Sequence, residues 1–367
     1  MANENVNVND LRALIVTKNA GWQAGATSVS GLSEDEKKKR LGATPPSGEA
    51  SLRERENIAA ANIQKAKAGI KGVGFPTSFD WRNNGGNYIT AVKDQGGCGS
   101  CVAFGSVATT EGTYQVVKGN PNSGIDLSEA QLFYCYGTGS GVTCETGWWP
   151  DQAFNSIEQG LADEACYPYT AGDQNCTNLC ADWANRAVRI SAWHQITDVN
   201  QMKDWLSTRG PLSTCFTVYN DFFYYTSGIY TYVSGDVAGG HCVSVVGYSE
   251  DNGGYWICKN SWGTGWGESG FFCIAYGQCG IDATMWAVDG IVDTGWLYNK
   301  LILGLWTIDQ DLNAWAYVDG EGWKKISNDN DNIFLDMLSQ LISAKASGKT
   351  VSLYIENSVV KQIYVNS

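Results

Sequence analysis

All twelve cysteines of this 367-residue chain lie between Cys98 and Cys279. No other feature constrains the fold as much. It implies a central domain bearing disulfides, flanked by two cysteine-free pieces, and an oxidising or secreted setting. A reduced metal protein is the competing reading. It is weak, because the chain holds only His194 and His241 and lacks paired Cys-x-x-Cys knuckles, so no metal or cofactor is expected. Lys and Arg total 25 against 38 Asp and Glu, a net charge of −13. That balance argues against nucleic acid or an anionic membrane as the main partner. No apolar run reaches the roughly 18 residues needed for a membrane span. The opening Met1-Ala2-Asn3-Glu4-Asn5 lacks a basic start and an apolar stretch, so a signal peptide is expected to be absent or already removed.

Composition divides the chain into three. Residues 1–74 read as a polar, helical segment. Ser33 with Glu36 forms a capping box before a helix running to Leu41, and Leu52 to Ala68 is rich in strong helix formers. This segment carries 11 basic and 8 acidic residues, so it is +3 while the remainder is −16. From 75 to 294 the spacing predicts an α+β domain. One long helix spans Cys101 to Lys118, Ser128 and Gln131 cap a shorter one, and strands follow at Val243–Tyr248, Tyr255–Lys259 and Gly270–Ala275. Residues 295–367 predict a small ββαββ unit, with a hairpin around Asp319-Gly320, a helix through Ile333–Leu341 ended by Gly348, and two final strands.

The chemistry centres on Gln95-Gly96-Gly97-Cys98-Gly99-Ser100-Cys101. Cys-x-x-Cys at a helix start suits a dithiol redox pair, or half a disulfide beside an independent nucleophile. His241 begins an apolar strand, and Asn260-Ser261-Trp262-Gly263 is a polar turn bracketed by indoles. A thiolate needs an imidazole to take and return its proton, and that imidazole needs an orienting acceptor. Cys, His and Asn in that order meet the need.

Here the sequence resembles the papain-like cysteine peptidases. The matching stretches run colinearly over about 75–290: Phe79-Asp80-Trp81-Arg82, Gln95 to Cys101 with Ala103-Phe104, Leu127-Ser128-Glu129, Tyr167-Pro168-Tyr169, Gly239-Gly240-His241, and Lys259 to Glu268. The resemblance implies a two-lobed fold, with a helical left lobe and a β-barrel-like right lobe, that hydrolyses polypeptide substrates. It makes Cys101 the nucleophile, His241 its proton carrier and Asn260 the orienter shielded by Trp262. Gln95 and the Cys101 N–H would receive the oxyanion, and Gly147 would pair with the substrate backbone. The pocket for the second residue before the scissile bond would be lined by Trp148, Cys215, Cys242 and Thr284, which predicts an aliphatic or aromatic preference. Val102 and Thr146 depart from the family's usual Trp and Gly. His194 matches no motif and reads as a locally satisfied histidine.

The same resemblance implies bridges Cys98–Cys144, Cys135–Cys176 and Cys166–Cys180. It further suggests Cys215–Cys242 as a pocket wall, and Cys258 with Cys273 or Cys279; buried thiols are the alternative for these five. Segment 1–74 stands where the family carries an inhibitory propeptide, its positive charge facing an acidic body, an attraction that acid would weaken. The competing class is a binding or delivery protein whose third unit does the work. Trp306, Trp315 and Trp323 would then stack on carbohydrate, or the unit would self-associate, although indoles at hairpin spacing more often fill a core.

Overall fold

The computed structural model describes residues 7–68, 74–292, 295–307, 312–356 and 359–366. The chain falls into two compact units: Met1–Gln115 with Pro121–Gly290, and Val116–Asn120 with Ile291–Ser367. The predicted boundary at 294 lies outside the described residues.

The helix Cys101–Lys118 is the axis of the first unit. Thirteen of its eighteen residues are buried, polar ones such as Thr109 and Glu111 among them, so it is enclosed nearly all round, as a helix wedged between two lobes must be. Gly105 explains how closely it approaches the right lobe. A Cβ there would lie 2.8 Å from Cys242 Sγ, so only glycine lets the helix start sit against the strand carrying His241. Its buried Glu111 joins Glu129 and Asp126 around Lys93, whose ammonium lies 2.9 Å from Glu129 and 2.7 Å from Asp126.

The right lobe is a nine-stranded, mostly antiparallel sheet. Its order runs Trp22–Ala24, Tyr225–Tyr230, Phe271–Ala275, Tyr255–Lys259, Val237–Ser249, Leu212–Tyr219, Met285–Val288, Trp193–Ile196, and Ser78–Asp80 joins Val237–Ser249 from the side. Strand Val237–Ser249 is thirteen residues long and carries His241 and Cys242 opposite Phe216 and Cys215. The strand ending at Lys259 delivers Asn260 beside it.

The N-terminal segment is less polar and less purely helical than its composition suggests. The helices Glu34–Lys38 and Leu52–Ala68 form, and Ser33 and Glu36 make the full capping box. An additional helix, Val8–Thr17, buries Leu11 and Ile15, and Trp22–Ala24 adds an edge strand to the right-lobe sheet. A three-residue strand with two inward side chains is too short to show periodicity.

Among the described residues the second unit holds six strands rather than four. Gly295–Lys300 and Ile302–Thr307 precede the expected hairpin Ala314–Val318/Gly322–Ile326, the helix Asp331–Ser347 and the strands Val351–Glu356 and Val359–Val365. The order is ββββαββ. The first two strands are the opposite edges of the sheet yet are separated by Leu301 alone, so the sheet must curl toward a barrel. Small residues Ala314, Ala316 and Val318 fill its inside with Phe334, Met337 and Leu341 of the helix. Trp306 and Trp323 stand outside, each 48% exposed, while Trp315 is half-buried with its indole N–H on Asn313 Oδ1, so none of the three belongs to the core.

Candidate active site

Cys101 opens its helix, where the backbone N–H groups and the helix dipole favour negative charge. His241 Nε2 lies 2.7 Å from Asn260 Oδ1. An amide oxygen only accepts, so Nε2 carries the proton and Nδ1 is the basic nitrogen. Nδ1 is buried and meets no hydrogen-bond donor among the described residues, and the Arg40 carbonyl nearby is itself an acceptor that only a protonated ring could engage. The Trp262 indole packs on the imidazole at 4.7 Å between centroids, is itself fully buried, and is backed by Trp266 and Phe223. Gln95 is fixed on several sides. Its Oε1 accepts from Ser261 Oγ at 2.7 Å, its N–H donates to the Ser261 carbonyl, and its carbonyl accepts from Tyr169.

A strap of the N-terminal segment, Arg40 to Thr44, lies across these groups. Gln95 Nε2 donates to the Arg40 carbonyl at 3.1 Å, and the Gly42 N–H points at Cys101 Sγ. The Gly42 carbonyl accepts from the Trp148 N–H at 2.7 Å, Thr44 N–H donates to the Trp148 carbonyl, and Ala43 N–H donates to Gly240. The pairing expected of Gly147 is thus made by Trp148 for this occupant, while the Gly147 N–H goes to Thr143. Gly147 has φ +66°, and a Cβ there would stand 2.1 Å from the Gly42 carbonyl oxygen.

Occlusion sets the protonation states. Burial pushes the Cys101 thiol up to about 12, with the Cys242 thiol adding to it and the N–H groups of Cys242, Gly42 and Val102 opposing it. Burial holds His241 down to about 4 against its Asn260 hydrogen bond and the Arg40 carbonyl, and the Arg40 charge pushes the same way as burial. Thiol and imidazole are both neutral beneath the strap.

Three disulfides are formed: Cys98–Cys144, Cys135–Cys176 and Cys166–Cys180. The suggested Cys215–Cys242 bridge is absent, and both residues are buried thiols. They face each other across the strands within hydrogen-bonding reach as two thiols, and Cys242 Sγ also lies 3.3 Å from Ser213 Oγ. Cys258, Cys273 and Cys279 are also thiols. Cys258 opposes Phe272 whereas Cys273 opposes Ile257, and this register sends their side chains to opposite faces of the sheet. Cys258 and Cys279 fill the apolar core.

Arg55 of the segment's long helix occupies the predicted pocket region. Its guanidinium lies 5.0 Å from the Trp149 ring and 5.5 Å from that of Trp286, with Cys215, Cys242 and Asp151 as electrostatic neighbours. Thr284 is buried two residues before Trp286, and Trp148 is buried beside Trp149. Sequence reasoning missed Trp149, Asp151, Trp286 and the Gln95 clamp Ser261. The run Trp148-Trp149-Pro150-Asp151 was the available signal for two of them. His194 sits apart, its Nδ1 2.7 Å from Asp289 Oδ1.

The segment's cations reach the body mostly through carbonyls and rings. Lys18 donates to the Val233 carbonyl, Lys37 stands over Phe223 and Tyr224, and Arg40 pairs with Asp94 at 2.7 Å.

Known proteins resemble this chain in sequence and fold. Residues 75–288 match the papain family cysteine protease profile. Cathepsin B-like CP3 of Giardia intestinalis is 35% identical over 280 residues, which is 73% of this chain and 89% of that protein. Pro-cathepsin H of Mus musculus is 35% identical over 226 residues, 58% of this chain and 65% of its own. Among solved structures, proCathepsin B S9 from Trypanosoma congolense aligns with a TM-score of 0.61 at 26% identity, over 77% of this chain and 98% of that one. Procathepsin L2 from Tenebrio molitor larval midgut gives 0.62 at 28%, over 77% and 88%. Both structural neighbours are proenzymes. The chain belongs to the papain family of cysteine proteases, and it resembles their zymogen form.

Proposed function

We propose that the chain is a cysteine endopeptidase working through Cys101, His241 and Asn260, made as a zymogen that residues 1–74 hold inactive. The carrying observation is the strap: the Arg40 carbonyl sits on Gln95 while Gly42 covers the Cys101 sulfur. A substrate carbonyl reaching the same amide would have its carbon presented to that sulfur. With the strap gone, water and substrate replace the Arg40–Thr44 backbone, and Cys101 transfers its proton to His241 Nδ1. The thiolate attacks, and Gln95 with the Cys101 N–H carries the oxyanion, about 3 kcal/mol per donor. His241 returns the proton to the departing amine, then activates the water that releases the acyl group. Asn260 and Trp262 keep the imidazole oriented and dry. The three disulfides suit an oxidising or secreted setting.

The test is turnover of a fluorogenic peptide by the full chain after cleavage ahead of Phe75. Cys101→Ala is expected to lower kcat by about 1,000-fold or more, and a thiol-reactive epoxide is expected to abolish turnover. Undiminished turnover by the alanine variant would refute the nucleophile.

A second role, for the C-terminal unit, is favoured by its outward aromatics. Trp306, Tyr317 and Trp323 present rings of the kind that stack on sugars. Indole fluorescence that no glycan perturbs would remove this role without touching the first.

A further inference from the structure

The recess that Arg55 fills is more specific than an apolar slot. Trp149 and Trp286 are both buried, and their rings meet edge to face at 89° with centroids 5.6 Å apart, forming a two-sided corner of π surface. The Trp286 indole N–H is spent on Asp151 Oδ1, and Gln195 Nε2 donates to the same carboxylate at 3.0 Å. Asp151 is therefore aimed and held, with its charge acting on the guanidinium. Arg55 itself is only 3% exposed, and its Nε and Nη2 meet no acceptor. A guanidinium with unanswered donors is held in such a place chiefly by the flat π faces, with the Asp151 charge adding a smaller, longer-range attraction.

The recess belongs to the cleft. Trp149 follows Trp148, whose backbone pairs with the strap over Cys101. Trp286 lies on the strand that pairs with Leu212–Tyr219, which carries Cys215 opposite Cys242, the residue after His241. We propose that the corner formed by Trp149, Trp286 and Asp151 is the peptidase's recognition pocket for an arginine side chain of its substrates, and that Arg55 fills it in the uncleaved chain as a stand-in. The proposal rests on the peptidase reading. It replaces the aliphatic or aromatic preference drawn from Cys215, Cys242 and Thr284 alone, since the deciding groups are two indoles and a carboxylate. When the segment leaves, Glu49, the other carboxylate acting on Arg55, leaves with it, and Asp151 stays. A lysine ammonium is compact and strongly hydrated and stacks poorly on two ring faces, so arginine should be preferred over lysine as well.

The test uses the full chain cleaved ahead of Phe75 and fluorogenic peptides differing only in the second residue before the scissile bond: Arg, Lys, Leu or Phe. The arginine peptide is expected to exceed the leucine peptide in kcat/KM by about tenfold, from a desolvated cation–π contact. Trp286→Ala and the gentler Asp151→Asn are each expected to shrink that ratio. Turnover of all four peptides with Leu or Phe equal to or ahead of Arg would overturn the pocket and leave the peptidase standing. An arginine preference undiminished in both variants would also overturn it, because arginine would then be read elsewhere. No turnover of any peptide would bring down the peptidase reading and this proposal together.

Discussion

Over Cys101 the N-terminal segment is held by its backbone, through Gly42, Ala43 and Thr44, while at Arg55 it is held by one side chain in a shaped recess. The two contacts occupy adjoining parts of one cleft and ask different things of the sequence. A strap that pairs through N–H and C=O groups needs only small residues able to come close. An anchor needs the right chemical group. Blockade of a peptidase therefore divides into a part indifferent to side chains, which covers the nucleophile, and a part that copies a substrate. The peptidase gains from keeping them apart, since a strap with no substrate-like side chain over the nucleophile carries little recognition there.

The comparison can be broken most sharply at Gly42. A Cβ at that position would lie 1.9 Å from the Gly99 carbonyl oxygen, and Gly99 cannot yield easily between Cys98, bridged to Cys144, and its own hydrogen bond to Cys144. Overpacking at such a point costs about 3 kcal/mol, so Gly42→Val should expose Cys101 about 100-fold more often. The measurement is the alkylation rate of Cys101 in the uncleaved chain, assigned by peptide mass mapping to separate it from the other thiols. A rate equal to that of the unaltered chain would mean that the strap is not what covers the sulfur.

Acid should act on the strap next. His241 is held near 4 in the covered site against its ordinary 6.5. Its depressed value means that closure is favoured while the ring is neutral, and that this contribution is lost as pH falls from 6.5 toward 4. Release is then about 30-fold easier at pH 5 than at pH 8 from this group alone. Cys101, held up to about 12 in the covered site, works in the opposite direction and loosens the strap as pH rises. Closure should be tightest at intermediate pH. The check is initial turnover by the uncleaved chain divided by that of the cleaved chain at each pH, and a flat ratio from pH 8 to 5 would contradict it. Arg40–Asp94 is the ion pair from this segment to the body among the described residues, so added salt should matter less than acid.

Much of this was legible in the sequence, for reasons that also explain what was not. The cleft helix, the strand holding His241 and the order Cys101, His241, Asn260 could be read because each depends on short local runs. The three left-lobe bridges came from resemblance, while the other five cysteines stayed open between bridges and buried thiols, because bridging depends on which face of a strand a side chain takes and on how its sulfur is turned. A one-residue register difference separates Cys258 from Cys273. The strand Trp22–Ala24 and the two extra strands of the second unit lacked a long enough pattern. The Arg55 recess was hidden most deeply, since Arg55, Trp149, Asp151 and Trp286 meet only after three distant stretches have folded together. Helix propensity made Arg55 look like solvated surface.

The mildest expected effect draws the line between strap and anchor most finely. Thr44 is exposed, and its Oγ1 donates to the Thr146 carbonyl at 3.0 Å, a polar side-chain contact to the body within the strap beside the Arg40–Asp94 pair. Thr44→Val keeps shape and branching and removes that one hydrogen bond. At a solvated site water repays most of the loss, leaving about 0.5 kcal/mol and about a twofold faster alkylation of Cys101. The backbone bonds from Thr44 N–H to Trp148 and from Ala43 N–H to Gly240 are untouched by the change. If Thr44→Val loosened the strap as far as Gly42→Val, its grip would depend on side chains after all. The distinction between a sequence-indifferent cover and a substrate-like anchor would then fail.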